Sequence, residues 1–157
     1  MKPATHTATA DTRATAANRR ARAGPSDYLS AAETRALLTN SLANRQLRLD
    51  SADMVSTDEA AQLADTSRVT VNAWIAKGRA VGLTQTKRGY RMPRWQFEPR
   101  LWAALPRLSA ALGTTEGWAL LAFLESPHGG LGGVAPRQAI EQGQADKVIA
   151  LASHEGN

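Results

Sequence analysis

Residues 56–75 read STDEAAQLADTSRVTVNAWI, and their pattern predicts two short helices separated by a tight turn. Either Ser56 or Thr57 can cap the first helix, because the two acidic residues that follow favour the positive end of a helix dipole. A later serine can cap the second helix, which we expect to run to about Lys77 and to be closed by Gly78. Together these features predict a helix-turn-helix.

The second helix has one face for packing and one face that stays open. Val71, Trp74 and Ile75 recur at helical spacing and are expected to pack inward. The remaining face carries Val69, Thr70, Asn72, Ala73, Ala76 and Lys77. Its alanines are small enough for a helix to enter a DNA major groove, which is about 12 Å wide.

A basic hairpin is predicted directly after the second helix. Residues 82–86 and 90–92 have strand character, and the connection 87–89 places a glycine where tight hairpins favour one. This hairpin would be the wing of a winged helix-turn-helix. We expect Trp95 and Phe97, which follow it, to cover the helices.

Positive charge is concentrated around these elements. The whole chain has a formal net charge of +5, and residues 68–100 hold eight Lys and Arg against the single acidic Glu98. Such a local excess predicts a polyanionic partner, with nucleic acid ahead of a membrane surface. We expect the cations of this range to form a continuous rim around the second helix.

The candidate DNA-binding residues form two groups. Arg68, Thr70 and Asn72 are the candidates for base edges, and Asn72 would prefer adenine if its amide is bidentate. The other candidates, expected at the backbone or in the minor groove, are Ser67, Lys77, Arg79, Lys87, Arg88, Tyr90 and Arg91. The predicted partner is double-stranded DNA.

The fold class expected is mainly α: a helix-turn-helix with a small β-wing, followed by a small all-helical C-terminal domain. Residues 1–25 have too few apolar groups to fold and predict a flexible basic tail. Residues 26–54 predict one broken helix or two short ones, with a capping-box spacing from Ser30. Residues 55–98 are the predicted winged domain, and residues 99–157 form the C-terminal domain.

The C-terminal domain is predicted to contain several short helices. The first carries an apolar stripe that begins at Leu101, and Pro106 could kink it. The second, at about 115–125, is apolar nearly all round. A helix of that kind is either central to a core or buried by a partner. For dimerisation, both the helix from Ser26 and the one from Leu101 offer plausible seams.

A glycine-rich loop, His128 to Gly133, joins two of these helices. As a dinucleotide-binding loop it lacks a preceding strand, and as an esterase oxyanion loop it lacks a Gly-x-Ser-x-Gly elbow. We interpret it as a helix connection. The chain has no cysteine and only three scattered histidines, so neither an enzyme, a metal site nor a cofactor is predicted.

Two parts of the chain resemble known families. The run from Ser56 to Ala61 and the run from Val71 to Ile75, with the glycine-turned hairpin, resemble the winged helix-turn-helix of excisionase and MerR-type DNA binders. Asp65 replaces the glycine usual in such turns, and we expect the turn to survive because Asp tolerates the left-handed conformation better than most residues. The C-terminal domain resembles the toxin-binding domain of Xre/MbcA/ParS antitoxins. That resemblance rests on Trp118, Phe123, Leu124, Pro127, Leu131, Gly132, Gly133, Pro136, Gly143, Val148, Leu151, Glu155 and Gly156.

The resemblance implies a type II antitoxin, a homodimer or higher oligomer, that represses its own operon. It would neutralise a toxin of the RES type, an enzyme that degrades NAD or ADP-ribosylates. The residues that would contact the toxin are His128, Leu131, Gly132, Val148, Leu151, His154, Glu155 and Asn157. His154 and Glu155 could equally belong to a frayed terminus. The alternative function is a stand-alone regulator or an excisionase-like accessory factor. A cytoplasmic location without membrane contact is expected.

Overall fold

A computed structural model of the chain describes residues 30–84 and 89–157, and over these ranges the fold is mainly helical, with a small antiparallel sheet of two strands. The helices are α1 (Ala31–Leu49), α2 (Thr57–Leu63), α3 (Arg68–Ala76), α4 (Pro99–Leu112), α5 (Gly117–Glu125), α6 (Pro136–Glu141) and α7 (Ala145–Glu155). The strands are β1 (Met54–Ser56) and β2 (Arg91–Pro93), and short 3₁₀ turns occur at Arg94–Phe97 and Gly129–Leu131. The predicted tail 1–25 and the hairpin tip with Lys87 and Arg88 lie outside the described residues.

The chain divides into two units, residues 1–42 and 43–157. Helix α1 begins at the predicted capping box, in which Ser30 Oγ accepts the Glu33 N–H and Glu33 Oε2 accepts the Ser30 N–H. The expectation of a broken helix is wrong, because α1 is continuous to Leu49. Its central asparagines and serine are exposed, where their weak helix propensity costs only tenths of a kcal/mol each.

The leucines of α1 within the first unit are largely exposed. Leu37, Leu38 and Leu42 each have more than half of their surface accessible. The role of α1 in dimerisation stays a prediction.

Residues 43–157 share one large core that crosses the predicted boundary between residues 98 and 99. Its buried members are Leu49, Met54, Val81, Leu83, Leu101, Ala104, Leu105, Leu108, Leu120, Leu121, Leu124, Leu131, Ala139, Ile140, Val148 and Ala152. Helix α5 is therefore central to a core, which is one of the two predicted alternatives. Pro106 lies inside α4 without ending it.

A smaller core joins α2 and α3 to the sheet. Its buried members are Val55, Ala60, Ala61, Val71, Ile75, Ala80 and Met92. The predicted inward face of α3 is confirmed, since Val71 and Ile75 are buried and Trp74 packs edge-to-face against Trp102 at 5.0 Å between ring centroids. Asp65 adopts the left-handed conformation expected of the turn, with φ of 51°.

Strand β2 has a partner that sequence reasoning missed. It pairs antiparallel with β1, Val55 opposite Met92, whereas within the described part of the predicted hairpin a single bridge joins Leu83 to Arg91. The burial of Met54, Val55 and Met92 holds the two strands together. A strand of three residues is too short to show an alternating pattern in sequence.

Arg48, in the last turn of α1, ties that turn to distant parts of the second unit. Its guanidinium contacts Asp53 at 2.7 Å and Glu125 of α5 at 2.5 Å. The hydrogen bonds from Arg48, together with its positive charge, lower the pKa of the Asp53 carboxyl below its ordinary value, while partial burial opposes them. Asp53 and Glu125 therefore share the charge of one guanidinium at the end of α1.

Gly117 provides a test of how closely the C-terminal helices approach the hairpin base. A Cβ at this position would overlap the carbonyl oxygen of Gly82, which is backbone and cannot rotate away. We expect Gly117→Ala to lower the free energy of unfolding by about 2 kcal/mol or more, since overpacking forces backbone shifts. Urea denaturation would measure it. Gly129→Ala, where a Cβ meets open space, is the control, and equal stabilities of the two variants would contradict the close approach.

Candidate functional site

The start of α3 is organised by Ser67. Its Oγ accepts the Thr70 N–H at 3.2 Å and lies 3.0 Å from Thr70 Oγ1. The Ser67 hydroxyl therefore caps the helix and also forms a hydrogen bond with the Thr70 hydroxyl. Two of the predicted DNA-binding residues thus shape the end of the helix as well as lying on its surface.

Arg68, beside this cap, is held by a carboxylate on the neighbouring helix. Its Nε and Nη2 atoms donate to the two oxygens of Asp58, at 2.8 and 2.5 Å. This hydrogen bonding lowers the pKa of the Asp58 carboxyl and raises that of the Arg68 guanidinium, so both stay charged at neutral pH. Sequence reasoning assigned Asp58 only to the start of a helix and missed this ion pair. The available signal was the pair of opposite charges, Asp58 in the first turn of α2 and Arg68 in the first turn of α3.

An open cleft of about 710 Å³ lies beside the exposed face of α3. It is lined by Ser56, Thr57, Asp58, Arg68, Asn72, Thr84, Gly89, Tyr90 and Arg91. Four predicted DNA-binding residues, Arg68, Asn72, Tyr90 and Arg91, therefore meet in one place. Asn72 is exposed, as its position on the open face predicts.

The other described cations of residues 68–100 do not line this cleft. Lys87 and Arg88 lie outside the described residues, so the continuous rim stays a prediction. Arg79 lies over the rings of Trp74 and Trp102, at 5.9 and 5.7 Å from their centroids, and Lys77 follows the end of α3. Arg100 donates to the Glu141 carbonyl at 2.6 Å. Arg79 is therefore engaged by two aromatic rings, and Arg100 by a carbonyl, rather than by the cleft.

Gln96 fixes the chain on both sides of the bridge between Leu83 and Arg91, next to the cleft. It is fully buried, its Oε1 accepts the Val81 N–H at 2.8 Å, and its Nε2 donates to the carbonyls of Val81 and Pro93, each at 3.0 Å. Val81 precedes the bridge between Leu83 and Arg91, and Pro93 ends β2. The Gln96 amide therefore positions the residues that carry Arg91 into the cleft.

The C-terminal domain has a second cleft, of about 420 Å³, between α5 and the end of α7. Its walls are Leu112, Thr114, Ala119, Ala122, Phe123, Ser126, Pro127, His128 and Glu155. His128 Nδ1 accepts the Gly130 N–H at 3.0 Å, so a neutral ring carries its proton on Nε2, which lies 2.9 Å from Glu155. Two predicted toxin-binding residues are thus brought together at an apolar groove.

Two other predicted toxin-binding residues need correction. Val148 is fully buried and Leu131 nearly so, and both belong to the large core. Their apolar side chains pack beneath the surface and would contact a partner only if the core opened. The remaining candidates stay accessible to differing degrees: Leu151 is half-buried, and Gly132, His154 and Asn157 are exposed.

The end of the chain is held rather than frayed. Asn157 Nδ2 donates to the Ser153 carbonyl at 2.9 Å, and the backbone of Gly156 lies so close to the Ala111 carbonyl that a Cβ would overlap it. Glu155 is engaged with His128. The end of α7, at Glu155, therefore forms part of the wall of the second cleft.

No family model matches this chain, and neither a curated protein nor a solved structure is detectably similar to it. Within residues 30–84 and 89–157, no helix is long and apolar enough to cross a membrane. Over the same ranges no three His, Asp or Glu side chains converge in a way that could hold a metal ion.

Gln96→Leu tests the support of the first cleft. The substitution leaves the buried N–H and C=O of Val81 without partners, so we expect the free energy of unfolding to fall by about 2 kcal/mol. Urea denaturation measures the loss, and amide hydrogen exchange at Val81 should accelerate. Gln138→Leu on the exposed face of α6 is the control, and a similar effect of both variants would contradict this role for Gln96.

Proposed function

We propose that this chain is an antitoxin that binds operator DNA through the cleft beside α3 and a partner toxin through the cleft beside α5. In this proposal α2 and α3 are the helix-turn-helix, and the segment between Leu83 and Arg91 is the wing. One observation carries the DNA-binding half: Asn72, Arg68 and Arg91 line the same open cleft. The protein would act by binding, as a homodimer or higher oligomer, and would carry out no chemistry of its own.

The two kinds of side chain in the first cleft suit different parts of duplex DNA. Arg91 is exposed and forms no ion pair among the described residues, so its charge is available to a phosphate. Asn72 offers an amide that can pair with an adenine edge. The cation would set affinity and the amide would add base preference.

The toxin-binding half is supported by the second cleft and by the sequence resemblance of the same segment. Phe123, Ala122 and Pro127 give the groove an apolar floor, while His128 and Glu155 provide a polar edge. A groove of this composition suits an apolar side chain flanked by a polar group on a partner protein.

Arg91→Ala tests the DNA-binding half against a matched control. With duplex DNA from upstream of its own gene, we expect affinity to fall about tenfold and the slope of log K against log salt to shrink by about one, because one phosphate contact is lost. Arg94→Ala removes the same charge three residues away, from a side chain outside the cleft, and should change affinity far less. Fluorescence anisotropy over a salt series measures both.

Equal losses for Arg91→Ala and Arg94→Ala would mean that net charge alone attracts DNA, which would contradict the cleft assignment. DNA binding that persists without any neutralisation of a neighbouring gene product would favour the alternative of a stand-alone regulator or an excisionase-like factor.

Ala122→Arg tests the toxin-binding half. Ala122 is exposed on α5 and lines the second cleft, so a long side chain there should block a partner while leaving the core intact. Co-expression with the product of the adjacent reading frame should then arrest growth, whereas Ala103→Arg, on an exposed position of α4 outside the cleft, should still protect. Protection by both variants would remove the cleft from the interface. Deleting α7 is a poorer test because it strips Val148 and Ala152 from the core.

A further inference from the structure

We infer that α3 reads A·T base pairs, with Val69 contacting the C5-methyl group of thymine and Asn72 contacting adenine. This inference rests on the proposed function and names the bases that the open face of α3, beside the cleft, would select. Its starting point is an apolar side chain on that face: Val69 is 78% exposed on the first turn of α3.

The fold makes no use of the Val69 side chain. It belongs to neither hydrophobic core, although it lies two residues before the buried Val71. A β-branched residue also has weaker helix propensity than alanine. Its χ1 angle is restricted in a helix, so its methyl groups form a fixed apolar surface. Thymine presents the one methyl group in the major groove, and an apolar contact is the way that proteins recognise it.

Arg68, the residue best suited to guanine, is engaged on one side of its guanidinium only. Its Nε and Nη2 atoms each donate one hydrogen to Asp58, while the Nη1 hydrogens and the second Nη2 hydrogen are not used by this pair. Asp58 therefore holds the guanidinium in one orientation without preventing it from contacting a neighbouring base pair or a phosphate. Val69 and Asn72 carry the selection of A·T pairs.

Asn72 completes the surface one turn after Val69. The two residues are three positions apart, about 4.5 Å along the helix axis, which exceeds one base step of about 3.4 Å and is less than two, so they can contact different base pairs. Asn72 is exposed and lines the cleft, and Ala73 and Ala76 beyond it are exposed and small. The helix thus presents one side chain that can contact the thymine methyl group and one that can pair with adenine. The small alanines beyond them allow the helix to approach the floor of the groove.

The test combines a side-chain change with removal of the thymine methyl group. Duplexes from upstream of the gene are prepared with single thymines replaced by uracil, which lacks only that methyl. We expect wild-type protein to bind one such duplex about fourfold more weakly, the effect of losing one buried methyl group. Val69→Ala should bind the unmodified duplex about fourfold more weakly and show no further loss with uracil, so that the two changes are coupled.

Two other variants keep the outcomes separable. Leu63→Ala truncates an exposed apolar residue on α2, outside the cleft, and should retain the uracil effect. Arg91→Ala should bind all duplexes more weakly and should also retain the uracil effect.

Wild-type protein that binds every uracil duplex as well as the thymine duplex would overturn the inference while leaving DNA binding intact. A uracil effect that survives in Val69→Ala would assign the methyl contact elsewhere and would also overturn it. Failure of wild-type protein to bind DNA at all would instead remove the proposed function.

Discussion

A single buried amide holds the segment on which the first cleft depends. Gln96 satisfies both backbone polar groups of Val81 and the carbonyl of Pro93, with no access to water. Because an unpaired buried group costs about 1–3 kcal/mol, this arrangement strongly favours one path for the chain on either side of the hairpin. Tyr90 and Arg91 reach the cleft as a consequence of that path.

The same hairpin base is held from the other side by the C-terminal helices. Trp118 Nε1 donates to the Thr84 carbonyl at 3.1 Å, and the Gly117 backbone lies directly against Gly82. Leu83, between these contacts, is fully buried in the large core. Both clefts therefore belong to the unit of residues 43–157, and the C-terminal segment supplies part of the packing around the cleft that we propose binds DNA.

Residues near each other in the chain were predicted well. Three features follow from hydrogen bonds or periodicity within a few residues: the cap of α2 at Ser56, one of the two predicted candidates, the left-handed Asp65 and the inward face of α3. Strand β1 and the pairing of Arg68 with Asp58 were missed. Val148 and Leu131 were assigned to a surface because the resemblance carries no information about burial.

The amino-acid sequence by itself determined where helices begin, how the turn before α3 closes and which face of α3 stays open, because capping and the helical repeat act over one or two turns. Only the tertiary structure decided which cations are available and which apolar residues lie inside. Arg48 meets Glu125 across 77 positions, and Leu83 packs with residues of α4 and α5. Pairing and burial of this kind depend on groups that are distant in the chain, and no local pattern records them.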